Sequence, residues 1–151
     1  MNVDNVSRDD WIVGGLALLL AIALLFFPWI SVSFGPITVT SAGTGSPDGI
    51  FGILALLLAI ALVADLAIER FSPQTQLPEL GGSRVFTRMV LAIGALVFVV
   101  LKFVLHTSDV GWGFWFTLIV AIALVVATVR VRQERPIMPS RPAGSAGPPA
   151  V

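Results

Sequence analysis

The chain has 151 residues, the length of one ordinary domain, and a formal net charge of zero. Hydrophobic residues make up 56% of the chain and charged residues 12%, whereas soluble domains carry about 25% charged residues. A soluble domain of this size could not bury so much apolar surface, so lipid must solvate much of the chain. The neutral charge gives no reason to expect nucleic acid as a partner. The absence of cysteine excludes disulfides and thiolate metal sites.

Four apolar stretches each come close to the roughly 20 residues that an α-helix needs to cross a bilayer. The predicted spans are residues 11–28, 47–69, 84–105 and 110–129. Residues 1–10 form a short N-terminus whose acidic balance argues against a cleaved signal peptide. The predicted fold is therefore an all-α membrane protein, a four-transmembrane-helix bundle over residues 11–132. Residues 133–151 are rich in proline, glycine and serine and predict a disordered tail.

Short signals within the spans indicate how the helices start and pack. Ser46-Pro47-Asp48 offers a cap residue, a first-turn proline and a first-turn carboxylate to the second helix. Alanines recur four residues apart, and such small residues let helix backbones approach closely in lipid. The pairs are Ala17 and Ala21, Ala55 and Ala59, and Ala123 and Ala127. We interpret them as ordinary bundle packing.

The connection between the first two spans, residues 29–46, carries no charge. Apolar and hydroxyl side chains alternate on both sides of Gly35-Pro36, which is the pattern of two strands joined by a tight turn. Glycine supplies the positive φ that a two-residue turn needs. We expect a small β-hairpin over this end of the bundle. The alternative is an irregular loop, because an isolated hairpin is only marginally stable.

Basic residues near the helix ends predict the orientation in the membrane. Of the nine basic residues, only Lys102 falls on the side of the hairpin. The eight on the other side are Arg8, Arg70, Arg84, Arg88, Arg130, Arg132, Arg135 and Arg141. We therefore expect a multi-pass protein of the plasma membrane with both termini in the cytoplasm and the hairpin outside.

Charged residues near the cytoplasmic ends of the second and third spans are the main candidate site. Asp65 and Glu69 lie one turn apart on the second span, and Arg84 and Arg88 lie at the same level on the third. We interpret these four residues as a structural ion-pair cluster, with Asp65 and Arg88 as the expected partners. The functional alternative is a proton or ion relay, but a transport path usually places a polar group near the midplane.

At the outer end we expect an interface of aromatic and polar side chains. Its members are Trp29, Lys102, His106, Asp109, Trp112 and Trp115. The three tryptophans would form an aromatic belt at the membrane boundary, and the long stem of Lys102 would let its ammonium reach the headgroups. His106 beside Lys102 and Asp109 could respond to pH, although a lone interfacial histidine is more often simply solvated.

Four features of the sequence together suggest a resemblance to known membrane proteins. They are Pro28-Trp29 after the first span, the uncharged Ser/Val/Thr loop, Gly49 and Phe51 at the start of the second span, and a Pro/Gly-rich basic tail. In these features residues 9–132 resemble small, largely uncharacterised four-span membrane proteins of high-GC actinobacteria. The plan of four helices with added strands is similar to that of claudins. The paired loop cysteines and the Gly-Leu-Trp motif of claudins are missing, so that similarity is architectural. Neither resemblance implies an activity for particular residues.

The sequence contains no nucleophile–base pair, metal triad or phosphate-binding loop. We therefore expect no catalytic residue, no metal and no cofactor, and a chain that is not an enzyme. The predicted function is a non-enzymatic scaffold, assembly or accessory protein of a bacterial plasma membrane, contacting partners through the hairpin and the tail. The expected partners are membrane lipids and other membrane proteins or further copies of the chain. The alternative is a small transporter or channel subunit.

Overall fold

The computed structural model describes residues 8–45, 48–72, 83–105, 107 and 110–134, with side chains through Val131. Its elements in chain order are α1 (Arg8–Phe26), β1 (Pro28–Phe34), β2 (Ile37–Ala42), α2 (Gly49–Phe71), α3 (Arg84–Leu105) and α4 (Trp112–Glu134). All four helices are long and apolar enough to cross a membrane. The predicted four-helix membrane fold is confirmed, and so is the hairpin between its first two helices.

The helix ends differ from the predicted spans by a few residues. Helix α1 starts at Arg8, which places Asp9 and Asp10 in its first turn, where carboxylates suit the helix dipole. Asp48 was expected in the first turn of α2 but is instead its N-cap residue, with a left-handed φ of 52°. Helix α4 continues to Glu134, so the first two residues of the predicted tail are helical. Ser46, Pro47 and the tail from residue 135 onward lie outside the described residues.

The four helices form a closed ring in which α1 packs on α2, α2 on α3, α3 on α4, and α4 on α1. Leucines fill its centre, with Leu20, Leu62 and Leu124 fully buried. The alanines of α1 and α2 are buried as their spacing predicts: Ala17, Ala21, Ala55 and Ala59. In α4 the buried alanine is Ala121, whereas Ala123 and Ala127 are only half-buried. Small residues at these contacts let the helix backbones approach closely.

The outer surface of the bundle is apolar. Large aliphatic side chains point away from the ring in several helices, and Leu18, Leu57 and Ile119 are each more than half exposed. Water would solvate this surface poorly, whereas lipid chains solvate it well. The chain is therefore built as an integral membrane protein whose helices pack inward through small residues and outward against lipid.

The hairpin is a two-stranded antiparallel sheet closed by Gly35-Pro36. Gly35 has a φ of 60°, the conformation that glycine adopts without steric cost. The register pairs Phe34 with Ile37 and Val32 with Val39, and between them Ser33 with Thr38. Because side chains alternate across a strand, one face of the hairpin is apolar and the other carries hydroxyl groups.

The loop after β2 is seated on the first turn of α2 by the contact of two glycines. A Cβ built on Gly52 would lie 1.9 Å from the carbonyl oxygen of Gly43, so only glycine fits there. This contact places the carbonyl groups of the loop over the end of the bundle.

We expect Gly52→Ala to destabilise the protein by about 1–3 kcal/mol, because the added methyl forces the loop off the helix. Gly15→Ala is the matched control, since nothing lies within 4 Å of a Cβ at that position in α1. Alanine is favoured over glycine inside a helix by up to about 1 kcal/mol, so this control should raise stability. Thermal unfolding in detergent measures both variants. Equal behaviour of the two would contradict the close contact between loop and helix.

Candidate functional site

A buried arginine joins three helices at the end of the bundle opposite the hairpin, here called the Arg88 end. The side chain of Arg88 is buried, and its Nε donates a hydrogen bond to Oδ2 of Asp65 at 2.7 Å. Its Nη2 donates to Oε2 of Glu69, and its Nη1 lies 3.5 Å from Oδ1 of Asp10. One guanidinium of α3 therefore binds carboxylates from both α1 and α2.

Helical geometry explains how these groups meet. Asp65 and Glu69 are four residues apart and share one face of α2. Arg88 lies one turn inside α3, which packs beside α2 and starts at the end where α2 stops. The guanidinium stays charged and presents several donors in a rigid fork, so it can serve more than one carboxylate. Arg84 lies one turn nearer the start of α3 and is half-buried.

Asp10 was not predicted as part of this cluster. Its position in the first turn of α1 indicates only a favourable dipole interaction. The structure adds it to the cluster because α1 packs against α2 and α4 and brings its first turn to the Arg88 end. Three carboxylates thus converge on one guanidinium.

A small void of about 10 Å³ lies beside Arg88, with room for about one water molecule. Its lining residues are Asp10, Val13, Val85, Arg88, Thr128 and Val131. The Thr128 hydroxyl donates to the carbonyl of Val125 in its own helix at 2.8 Å. Helix α4 therefore completes the wall around the cluster mainly with apolar atoms.

A second polar cluster holds the hairpin end of the bundle, and its centre is Lys102. The side chain of Lys102 is only 2% exposed. Its Nζ donates to the carbonyl oxygens of Gly43 at 2.5 Å and Gly45 at 3.0 Å, and lies 5.5 Å from the centroid of the Trp29 ring. The expectation that Lys102 reaches the headgroups is wrong, because the carbonyls of the loop after β2 bind its ammonium inside the protein.

Trp29 is also buried and lies inside the bundle rather than in the predicted aromatic belt. It is 3% exposed, and its Nε1 donates to Oγ1 of Thr117 at 3.1 Å. That hydroxyl in turn donates to the carbonyl of Gly113 at 2.7 Å. An indole N–H needs a partner when buried, and Thr117 supplies it. Trp112 and Trp115 are 63% and 54% exposed, so of the three tryptophans predicted for the belt these two lie on the surface.

Backbone contacts fix the hairpin base to the same cluster. The amide of Gly111 donates to the carbonyl of Trp29 at 2.6 Å, and Ile30 forms a bridge with Val110. The amide of Thr44 donates to the carbonyl of Leu24 at 3.2 Å. The glycines of this region were not predicted as site residues. Their clustering in the stretch from Gly43 to Gly45 is the signal that could have indicated a close backbone approach.

The remaining predicted residues, His106 and Asp109, lie outside the described residues. Within the described part of the chain, no group of three histidine or acidic side chains is arranged to hold a metal ion. Among the described residues, buried polar side chains thus form two clusters that join helices and loops at opposite ends of a membrane-spanning bundle. No protein-family model, no curated protein and no solved structure matches this chain.

Proposed function

We propose that this chain is a non-enzymatic scaffold or accessory protein of a cell membrane. The proposal is supported by what the buried charged side chains bind. Among the described residues, the buried charged side chains are Asp65, Arg88 and Lys102. Each is hydrogen-bonded to a different helix or loop of the protein. Such groups tie their helices and loops together, because separating them would leave a buried charge without compensation.

The size of the internal spaces supports the same proposal. The voids beside Arg88 and beside Lys102 each hold about 10 Å³, the space of about one water molecule. Small-molecule sites are usually clefts of about 300–1,000 Å³. From these two small voids we infer that the bundle acts through its outer surfaces. We assign partner contact to the hairpin, whose β2 strand pairs with β1 alone among the described strands.

Purification from the native membrane in mild detergent tests this function. We expect the full chain to retain a stoichiometric protein partner, and Thr38→Lys with Thr40→Lys to lose it, because charges on an exposed strand oppose strand pairing. Both threonines are exposed. Arg130→Gln, an exposed position in α4, is the control and should keep the partner. Retention of the partner by the hairpin variant would contradict its role as the contact surface.

A small transporter subunit is the second candidate, and the Arg88 end is what favours it. Three carboxylates face one guanidinium there, and a water-sized void adjoins them. Such groups could pass a proton between them. Flux measurements in proteoliposomes separate the two functions. Proton or ion flux through the protein that disappears in the Asp65→Asn variant would support the transporter function and contradict the scaffold function. Equal leakage from empty vesicles and from vesicles containing the protein would leave the scaffold standing.

We also propose that the Arg88 end faces the cytoplasm, because the order of the spans in the sequence assigns eight of the nine basic residues to that side. Green fluorescent protein fused after Arg135 should then fluoresce in a bacterial host, whereas alkaline phosphatase fused there should be inactive. A fusion after Pro36, in the hairpin turn, is the reciprocal control and should give active phosphatase. Active phosphatase after Arg135 would reverse the orientation.

A further inference from the structure

The hairpin carries an apolar face that the rest of the described protein leaves largely uncovered. Its register places Val32 opposite Val39 and Phe34 opposite Ile37, so these four side chains share one face. Phe34 is 69% exposed, Ile37 64% and Val39 57%. Exposed apolar patches of this kind mark a contact with a protein or with a membrane.

The same face rests on the bundle at the base of the hairpin. Ile30 is two residues before Val32 in β1 and shares its side of the strand. Ile30 packs against the hydrophobic core of the bundle, Val32 is half-buried, and Phe34 is exposed. Burial of this face therefore decreases from the base of the hairpin to its tip. The helices that hold the base are long and apolar enough to cross a membrane, so the bilayer is the nearest apolar medium for the uncovered part.

The chemistry of the hairpin fits lipid better than a charged partner. Residues 28–42 contain no charged side chain, and the opposite face carries Ser33 and Thr38, whose hydroxyls lie 3.2 Å apart. The boundary layer of a membrane accepts structures with one apolar face and one polar face. The exposed Trp112, at the start of α4, touches Phe27 just before the hairpin with ring centroids 5.1 Å apart. Tryptophan is enriched at the membrane–water interface, so the exposed Trp112 indicates that the hairpin base lies at that level.

We propose that the apolar face formed by Val32, Phe34, Ile37 and Val39 lies in the interfacial layer of the lipid bilayer. The hydroxyl face then meets water and headgroups, and the tip of the hairpin is held against the membrane. The anchored base, with Trp29 and the loop carbonyls fixed by Thr117 and Lys102, keeps the hairpin at the level of the helix ends. This inference depends on the membrane-spanning fold and not on the scaffold function.

Single-cysteine labelling tests it, because the chain has no native cysteine. Phe34→Cys and Val39→Cys place a nitroxide on the apolar face, and Ser33→Cys and Thr38→Cys place it on the hydroxyl face as matched controls. The full chain is reconstituted in vesicles of phosphatidylethanolamine and phosphatidylglycerol. Collisions of each label with oxygen, which concentrates in lipid, are compared with collisions with a water-soluble nickel chelate.

We expect the labels at positions 34 and 39 to favour oxygen and those at 33 and 38 to favour the nickel chelate. This alternating shift along each strand is the sign of a sheet lying in the interface. High nickel accessibility on both faces would overturn the proposal and leave the hairpin in water. Protection from both reagents at positions 34 and 39 would also overturn it. Spin–spin broadening that increases with the protein-to-lipid ratio would then show that a second copy of the chain covers the apolar face.

Discussion

Replacing Arg88 by glutamine should destabilise the bundle by about 3–5 kcal/mol, the usual cost of removing one partner of a buried ion pair. The guanidinium is bonded to Asp65 and Glu69 and also faces Asp10. Its loss leaves the carboxylates of Asp65 and Glu69 close together without the guanidinium that binds them both. Asp65→Asn should cost less, because Arg88 then keeps Glu69 and Asp10. Thermal unfolding in detergent gives this order directly.

The double variant decides whether Arg88 and Asp65 act as a pair. It should lose less stability than the sum of the single variants, with a coupling of about 0.5–3 kcal/mol. Arg130→Gln, at an exposed arginine of α4, is the control for removing a positive charge from the same end and should change stability by less than about 0.5 kcal/mol. Strictly additive losses would exclude the pair. Unchanged stability in both single variants, together with loss of ion flux, would favour the transporter.

Replacing Lys102 by methionine should destabilise the hairpin end by about 2 kcal/mol. Methionine keeps much of the length of the lysine side chain but leaves the carbonyl oxygens of Gly43 and Gly45 without their donor. Each buried acceptor that loses its partner costs about 1–3 kcal/mol, and release of a buried ammonium offsets part of that sum. Amide hydrogen exchange around the loop after β2 should become faster, while exchange at the Arg88 end stays unchanged.

Leu101→Met is the matched control for this substitution, since Leu101 adjoins Lys102 and is 40% exposed toward the surroundings of the bundle. It should be close to neutral, because an aliphatic side chain of similar size replaces another. If Lys102→Met were equally neutral and left the exchange pattern unchanged, water would be satisfying the two carbonyls. Lys102 would then have no part in holding the loop.

Features that depend on local pattern could be predicted from the sequence. Hydropathy over windows of about 20 residues locates spans because lipid selects side chains one helix at a time. The hairpin follows from alternation around Gly35-Pro36, since a strand repeats every two residues and glycine supports the turn. The meeting of Asp65 with Arg88 follows from counting helical turns on two helices joined by one connection. Each of these needs only geometry within an element or between consecutive elements.

Tertiary structure alone determines that Lys102 and Trp29 are buried and that Asp10 lies beside Arg88. The sequence places a lysine and a tryptophan near a helix end, and there both a water-facing and an inward orientation satisfy their polar atoms. The inward orientation of Lys102 results because Gly43 packs against Gly52, which places the loop carbonyls within reach of Nζ. The indole of Trp29 turns inward because Thr117 of α4 accepts its hydrogen bond there. Asp10 joins Arg88 only because α1 completes the ring. Local pattern therefore determines which segments cross the membrane, whereas the packing of loops and non-consecutive helices determines which polar groups meet.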